Sequence, residues 1–359
     1  EKKVIAWTDG PESCIWLQNG VWEYDNQTKK PKLLKPNYFA RNPRTNEKVD
    51  FLNDYMIPFW KRISRAIRAE IPNAIMFIEP HIDLADPQQT EVPNLEGDEV
   101  GTGIVWAKHW YDGLTLMTQT TNKLFALGTG TAYIGTENIQ KGFGRDISSF
   151  HNSTKRIGDT GNGTPILVGE CGIPFNMTPE PWLPGQNFDR CNYAMNNTMS
   201  ALENALASYT LWNYTPDNSN AYGDLWNIED LSIFSKDQIN ADNNKDLHGG
   251  GRCLPVVIRA YAYKTAGIPM KMSFDPYVRD RKFTFTFQSD ATVNSNETVI
   301  FLPSFHYPEQ KVNVMISDGH YEIDWENQTF KYFHSNSRTT HHIQISRARK
   351  TGSEYDALK

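Results

Sequence analysis

The sequence predicts an α/β fold followed by a small antiparallel β-sandwich, and three observations carry that prediction. Short apolar runs alternate with helical patterns from about residue 50 onward. Each apolar run ends in a polar or aromatic group of the kind that collects at the C-terminal ends of parallel strands. After residue 270 the texture changes to apolar–polar alternation, as in Lys282-Phe283-Thr284-Phe285-Thr286-Phe287 and Val312-Asn313-Val314-Met315-Ile316.

The elements follow in order. Phe51, Tyr55, Phe59, Ile63 and Ile67 recur at near-helical spacing across 51–70, with Pro58 expected to kink or restart the helix. Ala74–Ile78 reads as a strand buried on both faces, and Ile104–Ala107 as the next, with a helix expected over Arg145–Ile157. Thr164–Val168 reads as a third strand, paired with a helix marked by Phe188, Cys191, Met195, Met199, Leu202 and Leu206. Ser208–Trp212 reads as a fourth strand and Leu254–Ala266 as its helix. Tyr321–Trp325 and Thr329–Phe333 flank Glu326-Asn327-Gln328 as a hairpin. Four strand–helix units fit either an open four-stranded sheet or the second half of a (β/α) eight-fold TIM-type barrel. The expected domains are 1–270, 271–346 for the sandwich, and a charged disordered tail over 347–359.

Composition narrows the function classes. A net charge of −6 gives no reason to propose a nucleic-acid partner, and no 18-residue apolar run exists to span a bilayer. Ten Trp and sixteen Tyr suit both a large core and a sugar cleft. The four cysteines lack metal-ligand spacing, so neither a metal nor another cofactor is expected. No GxGxxG or GxxxxGK[ST] opens a helix and no GxSxG is present, which disfavours nucleotide binding and serine hydrolysis.

The strand ends carry Glu79, His109 with Tyr111, Glu170, and Trp212 with Asn213. A lone Glu, His or Trp at such a place is ordinarily structural. Four in order are the parts a retaining glycosidase needs: a carboxylate nucleophile, donors to hold it, and an aromatic floor.

On those residues the chain resembles a known family. Val168-Gly169-Glu170-Cys171-Gly172-Ile173-Pro174 is similar to the nucleophile strand of glycoside hydrolase family 5, and His109-Trp110-Tyr111 to its His-x-Tyr motif. Leu211-Trp212-Asn213-Tyr214-Thr215-Pro216-Asp217-Asn218, with Gly223–Ile233, resembles the fungal branch of steryl-β-glucosidases and glucosylceramidases, related to endoglycoceramidases.

The resemblance favours the half-barrel. It implies a retaining β-glucosidase acting on a glycolipid, a sterol β-glucoside in first place and glucosylceramide in second. It implies Glu170 as nucleophile, and substrate contacts from His109, Tyr111, Trp212, Glu79, Asn218 and Asp224. The chain departs from the family at the acid/base: it contains no Asn-Glu-Pro, and Ile78-Glu79-Pro80 is the nearest match. The acid/base is therefore expected upstream, on an N-terminal half of the barrel that is separate or missing. The opening Glu1-Lys2-Lys3-Val4, neither initiator Met nor leader, agrees with that expectation. A non-catalytic sugar-binding module that lost its acid/base is the competing reading.

Two further expectations concern the aglycone and the setting. Phe175, Met177, Trp182 and Leu183 are expected to form an apolar lip for the lipid, opposite an acidic loop over 83–99. An intracellular location, cytosol or vacuole, with peripheral membrane contact is expected, although sequons such as Asn196-Asn197-Thr198 permit a secretory route.

Overall fold

The computed structural model describes residues 14–80, 103–128, 131–153, 164–239, 246–277, 279–308 and 310–348. The 83–99 loop and residues 349–359 of the expected tail lie outside them. The chain divides into two units, Glu1–Pro72 and Asn73–Lys359.

In the first unit, α1 (Ile15–Gln18) precedes an antiparallel hairpin of β1 (Trp22–Asp25) and β2 (Lys30–Leu33). Its turn is held by Asp25, whose carboxylate accepts from the Gln27 N–H at 2.8 Å and the Thr28 hydroxyl at 2.8 Å. A π turn over Leu52–Met56 leads into α2 (Ile57–Glu70). Pro58 restarts the helix, sitting in its first turn where a missing N–H costs little.

The second unit begins with parallel strands. β3 (Met76–Ile78) pairs with β4 (Ile104–Trp106), a single parallel bridge joins Trp106 to Ile166, and β7 (Leu167–Cys171) pairs with β8 (Ser208–Leu211). The four strands thus follow one another in chain order and all run the same way. No closed barrel forms among the described residues. Burial on both faces is not seen at the first strand: Ile75 and Phe77 are exposed while Ile78 is buried.

Between β4 and β7 lie α3 (Gly113–Thr118), a hairpin of β5 (Phe125–Leu127) and β6 (Ala132–Ile134), and α4 (Thr136–Ser153). The helix expected from Arg145 therefore starts nine residues earlier. Ile139, Phe143 and Ile147 at i, i+4 and i+8 bury its inner face. α5 (Asp189–Asn204) follows as expected. The helix expected over 254–266 is corrected to one turn, α6 (Leu254–Val257), followed by a strand, β9 (Tyr261–Lys264). Tyr261-Ala262-Tyr263 has aromatic residues at period two, which suits a strand beside a partner better than a helix.

β9 already belongs to the sandwich. One sheet has the order β10 (Gly267–Asp275), β11 (Lys282–Ser289), β16 (Thr340–Arg347), β13 (Val312–Ile316). The other has β14 (His320–Asp324), β15 (Thr329–Phe333), β12 (Glu297–Phe301), β9. Phe283, Phe285 and Phe287 alternate inward from one sheet against Ile300, Phe330 and Tyr332 of the other, all buried. Arg347 pairs with Val312, so the start of the expected tail is strand.

A buried ion pair ties α5 to the sandwich. The Arg259 guanidinium donates to both oxygens of Glu203, from Nε at 2.6 Å and from a terminal nitrogen at 2.9 Å. Glu203 also accepts the Phe274 N–H at 2.9 Å, and Arg259 donates to the Phe274 carbonyl at 2.5 Å. Removing one partner leaves a buried charge alone. Glu203→Leu should thus lose about 3–5 kcal/mol in urea unfolding, whereas Glu203→Leu with Arg259→Met should recover most of the loss.

His306, buried with its Nε2 donating to the Ile258 carbonyl at 2.7 Å, is held down to about 4, by burial first and by Arg281 and Arg259 as well. The unfolded chain takes up a proton on this ring below about pH 6.5. The folded chain resists until about 4. Stability therefore falls as pH drops through that interval. His306→Gln should flatten this part of the melting-temperature profile, and an unchanged slope would show that other groups set it.

Candidate active site

The ends of the four parallel strands build the site. Glu79 follows β3 directly, His109 and Tyr111 follow β4, Glu170 lies within β7, and Trp212 follows β8. Backbone hydrogen bonds continue beyond the end of β4. Gly169 N–H donates to the Lys108 carbonyl at 3.0 Å, and Trp110 N–H donates to the Glu170 carbonyl at 2.9 Å. His109 and Tyr111, on either side of Trp110, are thereby aimed at the Glu170 side chain.

The Tyr111 hydroxyl donates to Glu170 Oε2 at 3.0 Å, and His109 Nδ1 lies 3.3 Å from the same oxygen. His109 Nε2 lies 3.2 Å from Glu79 Oε1. The imidazole thus stands between two carboxylates. Burial first, then the Glu170 charge, pushes the Tyr111 phenol far above its ordinary value, so it remains a donor. Cys171, pushed up to about 12 by burial and by Glu170, stays a neutral thiol. The strand end also needs a glycine. A Cβ on Gly172 would come within 2.3 Å of the Trp212 carbonyl oxygen, so only Gly lets the ends of β7 and β8 approach this closely.

Asn218 and Asp224, expected to contact substrate, lie within a buried hydrogen-bond network. Both are fully buried. Asn218 Nδ2 donates to Asp224 Oδ1 at 2.7 Å and to Asp230 Oδ1 at 2.9 Å, while Asp224 Oδ2 accepts from Asn213 Nδ2 at 3.1 Å and Leu231 N–H at 2.9 Å. Arg252 closes the network with two bonds to Asp230, at 2.7 and 3.2 Å, and lies 4.1 Å over the Phe175 ring. Of the four residues expected to form an apolar lip, Phe175 and Met177 are fully buried, Trp182 is half-buried and Leu183 is exposed.

One carboxylate was not singled out by the strand-end pattern because it sits on the loop after β8. Glu229 Oε2 accepts from the indole N–H of Trp212 at 3.4 Å and of Trp226 at 3.3 Å; its Oε1 accepts from Asn227 Nδ2 at 3.3 Å. The Trp226-Asn227-Ile228-Glu229 spacing was the available signal. Glu229 lines a cleft of about 450 Å³ with Asn176, Tyr222, Leu225 and Trp226. Among the described residues no group of three or more His, Cys, Asp or Glu is arranged to hold a metal, and no helix is long and apolar enough to cross a membrane.

Several known proteins are similar to this chain in sequence and fold. Glucosylceramidase of Rhizopus delemar is 29% identical over 346 residues, 90% of this chain and 48% of its own length. Ergosteryl-β-glucosidase of Saccharomyces cerevisiae is 26% identical over 90% of this chain and 49% of its own. The structure of Cryptococcus neoformans sterylglucosidase 1 matches with a TM-score of 0.76 at 29% identity, over 93% of this chain and 50% of that one. The chain thus spans about half the length of the relatives it matches. Residues 259–345 match the family 5 C-terminal domain and coincide with β9 to β16. Over residues 259–345 the chain is similar to the glycoside hydrolase family 5 C-terminal domain, and the relatives it resembles are named glucosylceramidase and ergosteryl-β-glucosidase.

Proposed function

We propose that this chain is the C-terminal part of a retaining β-glucosidase that hydrolyses a glycolipid, a sterol β-glucoside, with Glu170 as nucleophile. The observation that carries the reading is the Glu170 carboxylate at a parallel strand end, held by Tyr111 at 3.0 Å and His109 at 3.3 Å. In the first step a Glu170 oxygen attacks the anomeric carbon while the bond to the aglycone oxygen breaks and an acid protonates that oxygen. In the second, water displaces Glu170 from the sugar and the same group takes the water's proton. Tyr111 and His109 fix the attacking oxygen so that little reorganisation precedes attack. Trp212 supplies the floor for the sugar ring.

Glu79 is assigned to positioning rather than to acid/base work. It meets the imidazole on the nitrogen opposite the one that meets Glu170, so the His109 ring stands between the two carboxylates. The acid/base is assigned to the N-terminal half of the barrel, and relatives about twice as long as this chain support the half-barrel reading. Glucosylceramide is the second substrate reading, favoured by the Rhizopus relative's name. The four free, buried cysteines accord with an intracellular setting in the cytosol or vacuole. Leu225 and Ile228, exposed beside the cleft, provide apolar surface for peripheral contact with a membrane holding the substrate.

In the full-length enzyme Glu170→Ala should lower turnover by several orders of magnitude without altering the melting temperature. Azide should restore turnover and release the α-glucosyl azide, since a small anion can replace the missing nucleophile. Retained wild-type turnover in the variant would remove Glu170 from this role.

The remaining lip, Trp182 with Leu183, gives a separate expectation. Loss of one large apolar contact is worth about 1.5–3 kcal/mol. Trp182→Ala should therefore lower kcat/KM for a steryl glucoside by roughly 10- to 100-fold while sparing a short aryl glucoside. Equal loss on both, with a lower melting temperature, would make Trp182 a packing residue.

A further inference from the structure

Glu229 is joined to the nucleophile strand through Trp212. The backbone of Trp212 is fixed to that strand, its N–H donating to the Cys171 carbonyl at 2.9 Å, whereas its indole N–H reaches Glu229. Trp212 thus links the Glu229 carboxylate to the strand that carries Glu170. A pyranose lying over Trp212 with its anomeric carbon toward Glu170 has carbon 4 at the opposite end of the sugar ring, and Glu229 is the carboxylate bonded to the indole beneath such a sugar.

The bonding capacity of Glu229 limits what it can take. A carboxylate offers about four lone-pair positions, two on each oxygen. Oε2 uses both on the indoles of Trp212 and Trp226, and Oε1 uses one on Asn227. One acceptor position on Oε1 remains. The group is half-buried rather than sealed, and it faces the cleft lined by Tyr222, Leu225 and Trp226.

The loop holding it is not adaptable. Gly223, at φ +55°, has no room for a Cβ, which would lie 2.1 Å from the Glu229 carbonyl oxygen. Asp224 N–H donates to that same carbonyl at 2.8 Å, and the Asp224 side chain belongs to the buried Asn218–Asp230–Arg252 network. The acceptor is therefore preorganised, and loss of its partner is not relieved by loop movement.

We propose that Glu229, clamped by the Trp212 and Trp226 indoles, is a specificity-determining residue that accepts one hydrogen bond from the 4-hydroxyl of the glucosyl unit. The proposal rests on the β-glucosidase reading above. It gives the Trp212–Trp226–Glu229 group a selective role at the end of the sugar remote from the bond that is cleaved. A sugar already substituted at that oxygen has no proton to donate there, so the site selects a single terminal glucose.

The test compares the full-length enzyme with Glu229→Gln on an aryl β-glucoside and on its 4-deoxy analogue. A hydrogen bond to a charged group carries enough energy for roughly a 10- to 100-fold change in kcat/KM. The variant should lose that factor on the glucoside and less than about 3-fold on the 4-deoxy analogue, where the partner is already absent. Equal loss on both substrates, or no loss on either, would overturn the assignment and make Glu229 a structural clamp, leaving the glucosidase reading intact. A wild-type enzyme inactive on both substrates would instead defeat the β-glucosidase reading, and this inference with it. Melting temperatures of both proteins accompany the rates, because only the selectivity ratio reports contact with the sugar.

Discussion

Two backbone hydrogen bonds between the ends of β4 and β7 set the geometry on which the site depends. Gly169 N–H to Lys108 carbonyl and Trp110 N–H to Glu170 carbonyl extend the parallel pairing past Trp106, where regular strand stops. They place residues 109 and 111 on either side of a bonded position, so both side chains converge on the carboxylate of Glu170. A shift of one residue in this register would turn Glu170 to the other face of its strand. The pocket is therefore a consequence of strand pairing before it is a collection of reactive groups.

Buried ion pairs do for the loops what the ladder does for the strands. Arg252 and Asp230 fix the loop after β8, and Arg259 with Glu203 fixes α5 against the start of the sandwich. Each guanidinium also bonds a backbone carbonyl, of Ser232 in one case and of Phe274 in the other. Such pairs add little net stability over apolar packing, but they specify one arrangement because partial satisfaction is costly. The loop carrying Glu229 is consequently anchored on both sides, at Asp224 and at Asp230.

The sequence showed most clearly what is written locally. The four apolar strands, α5, the 321–333 hairpin and the alternating Phe283–Phe287 run all appear close to where their periodicity put them. Local pattern failed where a neighbour decided the outcome. Residues 261–264 could read as helix, yet pairing with β12 makes them a strand. Phe175 and Met177 resembled an exposed apolar lip because nothing in their own segment shows Arg252 lying over the Phe175 ring. Asn218 and Asp224 stood near the candidate cleft in sequence, but both are buried, the Asn218 amide bonding Asp224 and Asp230 and the second Asp224 oxygen accepting from Asn213 and Leu231. The strand-end residues Glu79, His109, Tyr111, Glu170 and Trp212 were legible because parallel sheets place such groups by rule. Glu229 was not, since its place depends on two indoles folding onto it from separate parts of the loop.

The central claim is that the carboxylate held by Tyr111 and His109 bonds covalently to the sugar. A 2-deoxy-2-fluoro-β-glucoside with an activated leaving group slows release of a glycosyl-enzyme more than its formation, so the adduct accumulates. Peptide mass analysis after incubation with the full-length enzyme measures the claim directly. The account predicts one fluorosugar on the peptide containing Glu170, with the modified atom on its side chain. A label on Glu79 or Glu229 instead would contradict it.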